Sequence, residues 1–228
     1  MNKFVFLVSI TLLLVGCASH DVARQPDLSY DLKAQQNKAE NSGVHLLVRA
    51  VHQQSDLEQY YGGDLLQYGV LPLQVNVQNR QYPRNLVFST DGVQLIDSAG
   101  HPRPQLTIDQ VMKKAKKSFW RTAGWGVAFG LFGIIPSAIN VNKTNKKIRA
   151  DYESRLLQSG NLQTGSMTEG ILFYSVPPDV PSLNGWNVNL VMRDGETAEN
   201  VNFEYGLAGT IAQRKKEDNE ESEVFGSK

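Results

Sequence analysis

Leu71-Pro72-Leu73-Gln74-Val75-Asn76-Val77-Gln78 is the stretch that decides the fold. Apolar side chains at every second position alternate with Pro72, Gln74, Asn76 and Gln78, and a period of two puts all four aliphatic groups on one face of an extended chain. The same alternation recurs on either side. Val44, Leu46, Val48 and Ala50 share a face of the segment Val44 to His52, whose other face is mixed. Downstream, Asn85 to Ser89 and Val93 to Asp97 flank Thr90-Asp91-Gly92, and Ile171 to Tyr174 is an apolar run closed by Pro177-Pro178. Val188, Leu190 and Met192 alternate with Asn187, Asn189 and Val191, and Val201, Phe203 and Tyr205 with Asn202 and Glu204.

Asp91-Gly92 and Asp194-Gly195 each lie between two such segments and predict hairpins. Asp56 to Gly69, with Tyr60-Tyr61-Gly62-Gly63, reads as a turn-rich connection in which the tyrosines either line a groove for sugar or peptide or, as beside a Gly-Gly turn is commoner, cap a core, and Gly100 to Pro104 as a break in the β pattern. About seven strands with inside/outside alternation make an antiparallel β-sandwich the expected fold, in a body spanning residues 43–211. In order and spacing these strands resemble the immunoglobulin-like domains of bacterial envelope proteins. The resemblance is one of architecture, since no Cys-Trp-Cys core accompanies it.

The strand pattern is interrupted at about residues 105–160. Ile108 to Arg121 reads as a helix with a basic face formed by Lys113, Lys114, Lys116 and Lys117. Thr122 to Val141 is then uncharged and carries four glycines and Pro136; Lys143, Lys146, Lys147 and Arg149 follow in sequence compatible with a helix to about Gln158. About twenty uncharged residues match the length of a bilayer crossing. A single crossing, however, would leave the earlier and later strands on opposite sides of the membrane, and the proline, the glycines and the equal basic flanks suit a bend. The expectation is an inserted helical hairpin turning near Gly130 to Pro136.

Two uses of that hairpin compete. In one, Trp120 and Trp125 sit at headgroup level, Phe129, Leu131, Phe132, Ile134 and Ile135 go deeper, and Lys113, Lys114, Lys116, Lys117, Lys143, Lys146 and Lys147 meet anionic phosphates. In the other, the apolar stretch packs on the sandwich, on its partner helix or on another copy through the small-residue spacing Gly126 to Gly130.

The N-terminus supplies an address. Lys3 precedes an apolar run from Phe4 to Val15, and Gly16 stands before Cys17, the chain's one cysteine. A short basic region, an apolar stretch too short to span a bilayer and a small residue at the cut form a secretory signal pattern. Leu14-Val15-Gly16-Cys17 resembles the lipobox of bacterial lipoproteins. The resemblance implies that residues 1–16 are a removed signal peptide and that Cys17 becomes the acylated first residue. Because Ala18 and Ser19 follow where an Asp would favour the inner membrane, it also implies the periplasmic face of the outer membrane. Residues 17–42 are polar, with Pro26 and a weakly helical run from Leu32 to Glu40, and read as a tether with an end-to-end distance of roughly 25 to 30 Å if fully flexible. Residues 212–228 are charged, with too little apolar surface to offset ordering, and are expected to stay disordered.

Composition narrows the functional classes. The 228 residues hold 23 basic and 23 acidic side chains and are 41% apolar. Such neutrality gives no whole-molecule attraction to nucleic acid, and one cysteine allows no internal disulfide. His20, His45, His52 and His101 show no metal-ligand spacing, and nucleophile-elbow, P-loop and dinucleotide patterns are absent. Asp151 with Glu153, and Asp194 with Glu196, read as solvated charges. No catalytic, metal-binding or cofactor-binding residue is assigned. The sequence therefore points to a non-enzymatic envelope lipoprotein that binds or scaffolds and uses membrane lipid as partner. The alternatives are an accessory subunit docked on an envelope membrane-protein complex and, from another class, an envelope glycan or peptide hydrolase.

Overall fold

A computed structural model describes residues 23–31, 38–115 and 138–208, with the backbone alone from 138 to 144. The chain is mainly β, in two antiparallel sheets. The strands are β1 (Ala39–Asn41), β2 (Val44–Ala50), β3 (Val70–Asn79), β4 (Leu86–Phe88), β5 (Val93–Ile96), β6 (Pro102–Arg103), β7 (Gln105–Leu106), β8 (Gly160–Leu162), β9 (Met167–Ser175), β10 (Asn187–Asp194) and β11 (Asn200–Gly206). Helices α1 (Gln54–Tyr61), α2 (Ile108–Lys114) and α3 (Ala138–Ser154) complete the set.

The first sheet runs β1-β2-β3-β9-β7. The second runs β6-β5-β10-β4-β8, with β11 on the far side of β10. Residues directly opposite in an antiparallel pair share a face. Leu71 therefore shares a face with its partner Tyr174, whose hydroxyl donates to the carbonyl of Val93 in β5 at 2.8 Å. Leu71, Leu73, Val75 and Val77 thus look across the sandwich toward Val188, Leu190 and Met192, and residues of both sheets join one buried apolar cluster.

The seven segments with a sequence signal are all strands, and β1, β6, β7 and β8 are additional, each of two or three residues. Four expectations change. Gln54 to Tyr61 is a helix that buries Leu57 and Tyr61; it ends at Gly62 in the left-handed region (φ 79°), whose N–H bonds back to Glu58. Ala39–Asn41, expected at the end of a helical run, pairs with β2. Pro102–Arg103 is a short edge strand where a break in the β pattern was expected, and Gln105–Leu106 is another at the expected start of the inserted block.

Asp91-Gly92 does not join a hairpin. β4 and β5 lie end to end along β10, pairing with it at Leu86–Val87 and at Val93–Ile96, and Thr90–Gly92 is a 3-10 turn between them. A Cβ on Gly92 would fall 2.5 Å from the carbonyl oxygen of Val191. The glycine is needed there for close approach to β10. Asp194-Gly195 does lie where β10 turns back into β11.

Candidate functional site

Helices α2 and α3, which flank the uncharged tract in sequence, contact each other and form a stem packed on the body. Thr107 caps α2, its hydroxyl accepting from the N–H of Gln110 while the Gln110 side chain accepts from the N–H of Thr107, a reciprocal capping box. Ile108, Val111, Met112 and Ala115 are buried in the main core, as are Ile148 and Tyr152 of α3. Arg149 ion-pairs with Asp109 in the first turn of α2 and with Glu153 one turn along its own helix. The beginning of α2 therefore lies beside the later part of α3.

The base of the stem is clamped. The Tyr152 hydroxyl donates to the carbonyl of Tyr61 at 2.7 Å, and an Arg155 N–H donates to the carbonyl of Tyr60 at 2.9 Å. The Arg155 guanidinium also lies 5.0 Å from the ring centre of Tyr61, while Tyr61, Tyr152 and Phe173 meet edge to face or tilted. Burial pushes both tyrosine hydroxyls well above their ordinary range, so they stay neutral donors.

Lys113, Lys114, Lys146 and Lys147 of the stem are exposed. Lys113 and Lys114 end α2, where the helix dipole favours cations. Trp120, Trp125, Phe129, Leu131, Phe132, Ile134, Ile135, Lys116 and Lys117 lie outside the described residues, as do Cys17, His20, the signal segment, the charged tail and the side chain of Lys143. Among the described residues, no helix is long and apolar enough to cross a membrane.

A second constellation has no counterpart in the sequence reading. The polar face of β3 is buried: Gln74, Asn76 and Gln78 are each under 7% exposed. Residues 23–31, expected to be part of a free tether, lie across it as a strap. The Glu169 carboxylate of β9 accepts from the N–H of Leu28 at 2.5 Å and of Ser29 at 3.4 Å, and from the side-chain amides of Gln74 at 2.6 Å and Asn76 at 2.5 Å. Arg49 donates to the carbonyl of Pro26 and to Gln74, and pairs with Asp31 at 3.1 Å. Leu28 is fully buried against Leu47, and the Gln25 side chain accepts from the Tyr61 hydroxyl. Gln74 thus serves the backbone of the strap directly and Asn76 serves it through Glu169, which explains why a face without aliphatic side chains is still covered.

Among the described residues no catalytic constellation is found. A shallow cleft of about 210 Å³ between β8 and the start of β9, lined by Phe88, residues 158–162 and residues 166–168, holds no ionisable side chain. Among the described residues no three metal-ligating side chains cluster. His45 is buried in β2 with Nε2 3.1 Å from Glu40, and burial, reinforced by nearby Lys38, holds it below the usual histidine range. Asp194, read from the sequence as a solvated charge, is 1% exposed. It accepts from the Tyr82 hydroxyl at 2.5 Å and from the N–H groups of Glu196 and Thr197, and pairs with Arg84 at 3.1 Å. These bonds, the one from Tyr82 foremost, hold its carboxyl at about 2. The cluster fastens the β10–β11 turn.

No protein-family model matches the chain, and no curated protein does. Among solved structures, the yjhA protein of Bacillus subtilis is similar over 72% of this chain and 93% of its own, at 11% identity and a TM-score of 0.38. Another Bacillus subtilis protein, ycdA, described as a candidate lipoprotein, is similar over 75% of this chain and 38% of its own, at 11% identity and a TM-score of 0.36. A functionally unknown Listeria monocytogenes protein is similar over 74% of this chain and 82% of its own, at 13% identity and a TM-score of 0.31. Likenesses of this size assign neither a family nor a function.

Proposed function

We propose that the protein is a non-enzymatic lipoprotein of the outer membrane, anchored by acylated Cys17 on the periplasmic face, whose body binds or scaffolds and whose basic, apolar hairpin makes a second contact with lipid. One observation carries this reading: β3, before the insertion, pairs with β9, after it, over nine residue pairs from Val70–Ser175 to Gln78–Met167. With both strands in one sheet, the uncharged tract between them must begin and end on one side of any membrane, as a dipping hairpin does and a single crossing does not. The strand order β2-β3-β9-β7 against β5-β10-β11 supports an immunoglobulin-like description of the body, an A-B-E-D sheet facing C-F-G.

Four exposed lysines on the stem put cations where they would meet anionic phosphates, each contributing about 1 kcal/mol close to such a surface. Two weak attachments in one molecule would reinforce each other through effective concentration. The test is flotation of the chain from residue 17 onward, carrying Cys17→Ser, with vesicles containing anionic phospholipid. Floating is expected, together with its loss on replacing Phe129, Phe132 and Ile134 by Ser. A chain that stays at the bottom, or a triple variant that floats equally well, overturns the lipid contact and leaves docking on a membrane-protein complex as the better use of the hairpin.

A further inference from the structure

We infer that residues Ala23–Asp31 are a docked strap whose seat on Glu169 sets how far the body stands from the membrane; the inference rests on acylation of Cys17 and, for the tilt of the stem, on the hairpin's lipid contact, both as proposed above. Without docking, the link from Cys17 to the first residue of β1 is twenty-two residues long, with a root-mean-square reach of about 25 Å and an extended limit of about 70 Å. The strap cuts that link short. Its first backbone bond joins the N–H of Ala23 to the carbonyl of Gln59 at 3.1 Å. Six residues then separate the body from the acylated end, a span of about 20 Å at most.

The exit point also has a direction. Gln59 precedes Tyr60 and Tyr61, whose carbonyls hold Arg155 and Tyr152 at the base of the stem. Ala23 therefore lies beside the base of α3, while Ala138, where α3 begins, lies at its opposite end, about 25 Å away for seventeen helical residues. A link of about 20 Å does not reach past a helix of about 25 Å standing upright on the membrane. With the strap docked, the stem must lean along the bilayer for both attachments to hold; with it released, the stem is free to stand.

The seat suits reversible docking. Glu169, Gln74 and Arg49 reach the strap's main chain at Pro26, Leu28 and Ser29, while its side chains contribute one aliphatic anchor at Leu28, the Asp31–Arg49 ion pair and the Gln25–Tyr61 bond. Loss of the Glu169 carboxylate removes the bonds to the N–H groups of Leu28 and Ser29 at once.

The experiment uses the acylated full-length chain on supported bilayers, with a fluorophore in the β10–β11 turn and an acceptor dye in the lipid. Hydrogen exchange is followed on the same samples. Glu169→Ala is expected to speed exchange at Leu28 and Ser29 by about 100-fold while β3 and β10 stay protected, and to lower energy transfer as the body moves out. A ten-residue Gly/Ser insertion before Ala23 leaves the strap docked and is expected to lower transfer as well, without relying on a core substitution. Unchanged transfer in both variants, with acyl chains present on Cys17, overturns the strap's role alone. Absence of acylation at Cys17 in the wild-type chain overturns both this inference and the anchor it rests on. If Glu169→Ala unfolds the sheet, the insertion decides.

Discussion

β3 and β10 carry the same alternation of apolar and polar residues and sit at the centres of facing sheets, yet their surroundings differ. All ten residues of β3 are buried, while β10 buries Val188, Leu190, Met192 and Asp194 and leaves Val191 and Arg193 in water. The difference lies in what crosses the outer face. The strap, α1 and α3 cover the first sheet, and among the described residues nothing comparable covers the second, where Val87 and Val191 are 44% and 43% exposed. A period of two fixes which side chains share a face; it does not say whether that face meets water, because that depends on chain segments far away in sequence.

The contrast can be attacked first where the helical layer joins the sheet. The chain leaving α3 passes β9 so closely that a Cβ on Gly170 would lie 2.4 Å from the backbone of Leu157. Both sides of that contact are backbone, held by bonds between Leu157 and Ile171 and between Ile171 and Arg155, so neither yields easily. Gly170→Ala is expected to cost about 3 kcal/mol and lower Tm by roughly 6 to 12 °C by calorimetry. A loss of under 1 °C would mean that this crossing is not fixed.

The next effect belongs to the one-sided sheet and depends on pH. The Asp194 carboxyl is held at about 2 against an ordinary 3.8, so the folded protein binds fewer protons than the unfolded chain in that interval. The stability it contributes is complete above about pH 4 and is lost as pH falls toward 2. Asp194→Asn is expected to lower Tm by several degrees at pH 7 and to flatten the fall of Tm between pH 4 and 2. An unchanged slope in circular dichroism melts would show that Asp194 does not govern it.

The smallest expected effect marks the open side. Val191→Ser, on the outer face of β10, should change stability by no more than about 0.5 kcal/mol in urea titration. A loss of about 2 kcal/mol would mean that something in solution covers the second sheet too.

How much could be read in advance follows from the same contrast. Long strands announced themselves through local alternation, as at Leu71 to Gln78, whereas β6 and β7, two residues each, are too short to carry a period. Helix α1 was missed because it buries only Leu57 and Tyr61, too little for a helical pattern, although Gly62 marked its end. Asp91-Gly92 misled because a glycine that permits a turn and one that permits close approach to a neighbouring strand look alike in sequence. Of the candidate site, the basic stem residues Lys113, Lys114, Lys146 and Lys147 were legible as a charge pattern, and the structure brings their two helices together. The Glu169 seat was not legible, since its members are separated by up to 141 residues and no local rule links Glu169 to Leu28.

The sequence alone determined what can be written within a few neighbouring residues: the β class, the uncharged insertion between basic flanks, and the lipobox-like start. Only the tertiary structure decided that the polar face of β3 is a seat rather than a surface, that β4 and β5 share one partner, and that the stem's two helices lie in contact. Those outcomes depend on which distant groups satisfy one another's hydrogen bonds once water is excluded.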